Sequence, residues 1–248
     1  MSLFEQVAQA TVRIECGSSR GSGFHFLRPD IIVTNHHVVA GAADGSVIAV
    51  GERGEAMQLT LRASSPTNAH DFAIFDVREP GPNPGHVLRP RAPSNPGRGV
   101  DIVFAGFPHG IPHLLVQRAT VSGYVNDSVF YIDGSVNGGN SGGPIVDSSD
   151  GAVIGIVTQR RFLGAQDLER LAQEAGQLSG HCHQLAMGGG SVQIMGIDFG
   201  SFSGLMADAM LLIREALDAN ANAGIGIGFS INFVTACCEE MGIEASAS

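Results

Sequence analysis

Short apolar runs separated by turn residues constrain the fold of this chain more than any other feature. From Thr11 to Thr158, segments rich in Val, Ile, Leu and Phe alternate with Gly, Pro, Asn and Asp. This alternation is typical of an all-β sandwich or barrel. The predicted strands are TVRIE, GFHFL, DIIVT, SVIAV, MQLTL, FAIFDV, DIVFAG, LLVQRATVSG, SVFYID, PIVD and AVIGIVT, and strand character returns at GIGIGFSI.

The order of these runs predicts two β units. Residues 78–99 carry six prolines, which indicates an extended surface connection between two halves, residues 1–90 and residues 91–248. After Arg161 apolar residues recur at helical spacing, so we expect a partly helical insertion at about 161–222, before the last strand. Short helices are predicted at both termini, the first with Ser2 and Glu5 in capping-box spacing.

Composition excludes several classes of partner. The formal charge is -10 and all 14 basic residues are Arg, so the chain has no general attraction for nucleic acid. No apolar run reaches the length of a spanning helix, and the N-terminus lacks the pattern of a secretion signal. We therefore expect a cytoplasmic protein with no membrane span, unless a signal was removed earlier. The four cysteines have the irregular spacing of free thiols.

The segment NGGNSGGPIVD, residues 137–147, surrounds one serine with four glycines. Acyl transfer through a serine needs an exposed hydroxyl and backbone N–H groups that converge on the developing oxyanion. Glycine permits such a bend, so the N–H groups of Gly139 and Ser141 are the predicted oxyanion donors, with Asn140 in the turn between them. A nucleophile elbow requires a helix after the serine, whereas PIVD and AVIGIVT predict strands.

A serine nucleophile also needs a base and a group that orients the base. IIVTNHHVV places His36 and His37 at the end of a strand where a loop is predicted to begin, and HDFAIFDV places Asp71 at the start of another. His36 is the rival of His37 as the base, and Asp76, which ends the strand that Asp71 begins, is the rival of Asp71.

The motifs GSGFHF, TNHHVV, DFAIF and GNSGGPI, in this order, resemble those of the chymotrypsin-fold serine proteases, most closely the bacterial HtrA-type branch. The order His, Asp, Ser is found in chymotrypsin and in neither subtilisin nor the α/β-hydrolases. The resemblance covers residues 1–160 and about 224–241. It implies two six-stranded antiparallel β-barrels, with Ser141 as nucleophile, His37 as base and acid, and Asp71 as the residue that orients His37.

The same resemblance implies positions for a substrate pocket. Ser135, six residues before the nucleophile, falls at the pocket base, and Thr158, Gln159 and Arg160 fall on its wall. Without a buried carboxylate at position 135, a basic substrate side chain has no counter-charge there. We therefore expect cleavage after small or medium apolar residues.

The insertion is expected to gate substrate access or to mediate homo-oligomer formation. His181, Cys182 and His183 are metal-ligand types, but the sequence offers no second cluster, so they are interpreted as a polar loop and neither metal nor cofactor is expected. A serine endopeptidase acting on protein or peptide is the main functional hypothesis. A catalytically silent scaffold and an esterase with the same triad are the alternatives.

Overall fold

The computed structural model describes residues 1–41, 47–78, 85–91, 96–160, 165–188, 193–194, 196–220 and 224–246. Its helices and strands follow in chain order: α1 Leu3–Ala10, β1 Thr11–Cys16, β2 Ser19–His25, β3 Ile31–Thr34, α2 His36–Val39, β4 Val47–Val50, β5 Ala56–Ser65, β6 Phe72–Val77, β7 Asp101–Gly106, β8 Leu115–Tyr124, β9 Val129–Asp133, β10 Pro144–Asp147, β11 Val153–Arg160, α3 Ala165–Met187, β12 Gln193–Ile194, β13 Ile197–Asp198, α4 Phe199–Asn220, β14 Ile225–Ser230 and α5 Asn232–Glu240.

Twelve strands form two closed antiparallel barrels of six strands each. The first has the order β1-β2-β3-β6-β5-β4 and the second the order β10-β11-β14-β9-β8-β7. The fold class predicted from the sequence is confirmed, including a terminal helix at each end and a partly helical insertion before the last barrel strand.

Apolar side chains fill three clusters that hold the barrels. One cluster lies inside the first barrel and another inside the second. The third joins strands of both barrels to α1 and α5 and includes Phe24, Val103, Val146 and Val234, each at most 1% exposed. Because each fully buried side chain of this size contributes about 1.5–3 kcal/mol, this cluster fixes one barrel on the other. Groups from the two barrels therefore meet in a defined geometry.

The chain divides into two compact units, Met1–Arg160 with Gly224–Ser248, and Arg161–Ala223. The first unit contains both barrels. In the second unit α3 and α4 pack on each other, and Ser179 of α3 donates a hydrogen bond to the carbonyl of Ala207 at 2.9 Å. The predicted boundary between halves at residue 90 stays a prediction.

Several local predictions were wrong. Strand β2 begins at Ser19, so the Gly- and Ser-rich segment before GFHFL is itself strand. His36 and His37 lie in the helical turn α2, where a loop was predicted. His181, Cys182 and His183 lie within α3 and are not a polar loop. The segment after α3 contains two short paired strands, β12 and β13, which were not predicted.

Candidate active site

His37 and Asp71 meet because β3 and β6 are antiparallel neighbours in the first barrel. Thr34 at the end of β3 pairs with Ala73 near the start of β6, so the residues after one strand and before the other share an edge. His37 follows β3 in helix α2, and Asp71 precedes β6. The His37 ring Nδ1 lies 2.7 Å from Oδ2 of Asp71.

Asp71 adopts an unusual backbone conformation that its surroundings hold in place. Its φ is 45°, in the left-handed region that Asp tolerates better than most residues. The Asp71 N–H donates to the carbonyl of Pro66 at 3.1 Å, and the side-chain amide of Asn35 donates to the Asp71 carbonyl at 2.8 Å. These bonds aim the carboxylate at His37.

The Asp71 side chain is fully buried and accepts four hydrogen bonds. Oδ1 accepts from the His37 backbone N–H at 3.0 Å and from the Thr67 hydroxyl at 3.2 Å. Oδ2 accepts from the His37 ring and, at 2.8 Å, from the Thr158 hydroxyl. Burial by itself would raise the pKa of Asp71, but the hydrogen bonds and charge of His37, together with the Thr158 hydroxyl, hold that pKa below its usual value.

Because an ionised carboxylate only accepts hydrogen bonds, His37 carries its proton on Nδ1. The other ring nitrogen, Nε2, is then unprotonated and is the basic atom of the neutral ring. The His37 side chain is 33% exposed, so the ring is open to solvent on one side.

The alternative base, His36, and the alternative carboxylate, Asp76, make other contacts. Asp76 pairs with Arg62 on the surface, with 2.8 Å between carboxylate and guanidinium. The Nδ1 atom of His36 is buried and has no hydrogen-bond partner among the described residues.

The glycine-rich loop enters the site from the second barrel. The Asn140 N–H donates to the Asn137 carbonyl at 3.0 Å, and Gly139 has a φ of 93°, as in a type II turn. A Cβ at Gly139 would lie 2.2 Å from the Phe107 carbonyl oxygen, so the turn requires glycine. The carbonyls of Gly138 and Asn140 accept from His109 and Gly143, whereas the N–H groups of Gly139 and Ser141 donate to no protein atom within the described residues.

The Ser141 hydroxyl donates to the carbonyl of Thr158 at 2.8 Å. Within the described part of the chain, no hydrogen bond joins it to the His37 ring. Thr158 thus contacts both Ser141, through its carbonyl, and Asp71, through its hydroxyl. The neighbouring Asn140 side chain is 1% exposed, and neither its nitrogen nor its oxygen has a partner among the described residues.

Of the four predicted pocket residues, Ser135 and Thr158 have side chains that the structure describes. Ser135 is exposed in the loop after β9, and the Thr158 side chain is buried against Asp71. The Gln159 and Arg160 side chains lie outside the described residues. Val136, beside Ser135, is 1% exposed and packs against Gly226, where a Cβ would lie 2.3 Å from a Val136 methyl.

Sequence reasoning missed Thr67 and Ser22, and it assigned Thr158 to the pocket wall and not to Asp71. The hydroxyls of Thr67 and Thr158 bind Asp71, and the hydroxyl of Ser22 binds the glycine-rich loop. The position of Ser22 within GSGF was the one available signal, because a small polar residue between glycines in a strand indicates close approach of another backbone.

Two barrels with a histidine, an aspartate and a serine at their junction define the class of trypsin-like serine peptidases. Residues 21–156, more than half of the chain, match the family described as trypsin-like peptidase domain. The chain belongs to this family, and its relatives include a Do-like protease, a DegP-like serine endoprotease and a serine protease HTRA1.

Three relatives illustrate the similarity. Protease Do-like 1, chloroplastic, of Arabidopsis thaliana is 31% identical over 170 residues, 58% of this chain and 34% of that protein. The crystal structure of the serine endoprotease from Yersinia pestis is 25% identical with a TM-score of 0.55, covering 64% of this chain and 58% of that one. The crystal structure of Rv3671c from Mycobacterium tuberculosis is 20% identical with a TM-score of 0.59, covering 99% and 93%, and shares the fold.

The chain spans between 20% and 38% of the length of the curated relatives compared. The predicted class, a serine-type endopeptidase, agrees with the family and with the relatives named as serine protease or serine endoprotease. Across the described residues, no helix is both long and apolar enough to cross a membrane. In the same part of the chain, no three His, Cys, Asp or Glu side chains lie close enough together to hold a metal ion.

Proposed function

We propose that this chain is a serine endopeptidase that hydrolyses peptide bonds through an acyl-enzyme. The observation that carries the proposal is the 2.7 Å contact between His37 Nδ1 and a fully buried, ionised Asp71, which makes Nε2 the basic atom of the ring. Thr158 links the two barrels at this point, because its hydroxyl donates to Asp71 and its carbonyl accepts from Ser141. Family membership supports the reaction class.

In the proposed acylation step, the Ser141 hydroxyl leaves the Thr158 carbonyl and turns to His37. His37 Nε2 accepts the hydroxyl proton as Ser141 Oγ attacks the peptide carbonyl, and Asp71 stabilises the imidazolium that forms. The oxyanion accepts hydrogen bonds from the N–H groups of Gly139 and Ser141, which have no protein acceptor within the described residues. His37 then gives its proton to the leaving amine.

Deacylation repeats this sequence with water as the nucleophile. His37 Nε2 takes a proton from water as the water oxygen attacks the acyl carbon. The same two N–H groups stabilise the second oxyanion. Its collapse breaks the bond to Ser141 Oγ, which recovers its proton from His37.

We propose that the substrate is a protein or peptide cut after a small or medium apolar residue. Ser135 supplies no carboxylate for a basic side chain, and the neighbouring Val136, which packs against Gly226, is buried and apolar. The roles of Thr158, Gln159 and Arg160 in the pocket wall stay predictions.

One observation favours the alternative of a silent scaffold. The Ser141 hydroxyl is engaged by the Thr158 carbonyl and not by His37. A peptide library with all residues at the position before the scissile bond distinguishes the two. An active peptidase cleaves after Ala, Val or Leu, and Ser141→Ala abolishes the cleavage. Intact peptides after long incubation with folded wild-type protein would support the scaffold.

The predicted self-association through residues 161–222 is supported by apolar side chains on the surface of the second unit. Leu178 and Leu185 on α3 are 46% and 58% exposed, and Leu205 and Leu212 on α4 are 68% and 65% exposed. Light scattering of the full chain tests it, since a monomeric mass at high concentration contradicts it. The cytoplasmic location stays a prediction.

A further inference from the structure

Ser22 in the first barrel is hydrogen-bonded to the glycine-rich loop of the second barrel on both sides of Asn140. Its hydroxyl donates to the Gly139 carbonyl at 2.7 Å, and its backbone N–H donates to the Ser141 carbonyl at 2.8 Å. The hydroxyl also accepts from the Phe107 N–H at 2.9 Å, and the Ser22 side chain is fully buried. Both hydrogen-bonding functions of the hydroxyl are therefore used.

The hydroxyl acts on the peptide group that connects the two oxyanion donors. The donors are the N–H groups of Gly139 and Ser141. Between them along the chain lies the peptide group formed by the Gly139 carbonyl and the Asn140 nitrogen. Ser22 holds the oxygen of that peptide, and Asn137 accepts from its nitrogen. Because a peptide group is planar, fixing both ends removes its freedom to rotate and thereby fixes the direction of the flanking N–H groups.

Close packing around Ser22 indicates that its position is tightly defined. Its own carbonyl accepts the Thr34 hydroxyl at 2.6 Å, which anchors its backbone to β3. A Cβ at Gly106 would lie 2.8 Å from the Ser22 hydroxyl oxygen and 2.9 Å from Cα of Asn140. Glycine at position 106 thus leaves room for Ser22 to reach the loop.

We propose that Ser22 is a positioning residue of the hydrolytic reaction, which orients the oxyanion donors Gly139 and Ser141 from the opposite barrel. The inference rests on the proposed function. Through Ser22 the barrel that carries His37 and Asp71 also sets the geometry of the loop that carries Ser141. A buried serine that only satisfied its own polar atoms would contribute to stability and leave the reaction unchanged.

Ser22→Ala tests the assignment, with Ser230→Ala as the matched control. Ser230 is 6% exposed and its hydroxyl also accepts a backbone N–H, from Asn232, away from the loop. In Ser22→Ala the Gly139 carbonyl loses the hydrogen bond from the Ser22 hydroxyl. The orientation of the Gly139 and Ser141 N–H groups is then no longer fixed. Loss of one oxyanion donor costs about a hundred- to a thousandfold in kcat, so we expect kcat to fall by about ten- to a hundredfold with KM within about threefold.

A peptidyl aldehyde supplies the second readout, because its adduct with Ser141 places an oxyanion at the same donors. We expect its affinity to fall in parallel with kcat in Ser22→Ala and to be unchanged in Ser230→Ala. Urea midpoints of both variants record the stability loss. If Ser22→Ala does not fold, Ser22→Cys keeps the shape with a weaker hydrogen-bonding group and is expected to lower kcat in the same way.

Wild-type kcat and aldehyde affinity in a folded Ser22 variant would overturn the inference while the proposed function stood. An equal loss in both serine variants, following their urea midpoints, would also overturn it. If the wild-type protein neither cleaves peptide nor binds the aldehyde, the proposed function fails, and the role of Ser22 fails with it.

Discussion

Asp71 combines burial, four hydrogen bonds and a left-handed backbone in one residue. A buried carboxylate without partners would be protonated more readily, so its surroundings must compensate for the loss of water. Three of the four bonds come from His37 and Thr158, and these are the groups that lower its pKa. Asp71 therefore stays charged wherever His37 is able to act as a base.

The lowered pKa predicts the shape of the acid side of the pH profile. The hydrogen bonds to ionised Asp71 stabilise the folded state fully above the pKa of the unfolded chain, near 3.8. This stabilisation is lost as the pH falls through the pKa of folded Asp71, which is lower. Above about pH 4.5 Asp71 therefore has no proton to gain, and we expect Asp71 to add no ionisation to the acid side of the kcat/KM profile. Steady-state hydrolysis from pH 4.5 to 9 tests this, and a slope of two on the acid side would contradict it.

Asp71→Asn is the matched variant, because it keeps the shape and removes the charge. We expect kcat to fall by about ten-thousandfold, since an amide holds the wrong tautomer of the histidine. The loss in unfolding free energy should be full at pH 7 and shrink as pH falls below about 4, where wild-type Asp71 begins to be protonated. Equal activity in both proteins would remove Asp71 from the reaction.

The loop between β9 and β10 acts through its backbone, and Gly139 is its critical position. Alanine there meets the strain of a positive φ and a Cβ at 2.2 Å from the Phe107 carbonyl oxygen. We expect Gly139→Ala to rotate the donor N–H away and to lower kcat by about a hundredfold or more. Hydrolysis of a fixed peptide substrate measures the effect.

Gly99→Ala is the control for Gly139→Ala. Gly99 also has a positive φ, 80°, but a Cβ there meets no atom within 4 Å. Gly99→Ala therefore introduces the same kind of backbone strain but no steric clash of the added Cβ. We expect a small loss of stability and nearly wild-type kcat. If the two variants hydrolyse at the same rate, Gly139 is not an oxyanion donor.

The strands and the chain order of the three reactive residues were predictable, because apolar periodicity and turn residues are local. Helix α2 was not, since two histidines and two valines are poor helix formers. Its N-cap Asn35 makes no side-chain cap, and the His37 N–H is instead satisfied by Asp71, 34 residues away. A cap supplied by a residue distant in the sequence leaves no trace in the local sequence.

The start of β2 was missed for a related reason. Glycine is unfavourable in strands, yet a Cβ at Gly21 would lie 2.7 Å from Val38, and one at Gly23 would lie 2.9 Å from Ile14. These glycines are required by packing that forms only in the folded barrel. The contacts of Ser22 and Thr158 are likewise tertiary and cross from one barrel to the other.

The whole chain consists of a two-barrel unit interrupted once by residues 161–223. The interruption follows Arg160, the last residue of β11, and precedes β14, in which Gly226 pairs with Arg160 of the antiparallel neighbour β11. Chain ends that lie on paired strands are close enough for a short turn to connect. The two barrels thus have a complete strand topology without the second unit.

We expect the barrels to fold when residues 161–223 are replaced by a turn of about four residues. The shortened chain should unfold cooperatively in urea and hydrolyse a short peptide. If the insertion gates substrate access, cleavage of a protein substrate should rise relative to the peptide, and light scattering should report loss of self-association. An unchanged ratio contradicts gating, and an unfolded product contradicts the independence of the barrels.

The most direct test of the central claim is reaction of the folded protein with a fluorophosphonate probe at pH 8, followed by mass spectrometric mapping of the modified residue. We expect a single adduct on Ser141, absent in Ser141→Ala and formed much more slowly in Asp71→Asn. No labelling of folded wild-type protein, or labelling of another residue, would contradict the assignment of this site as a serine peptidase.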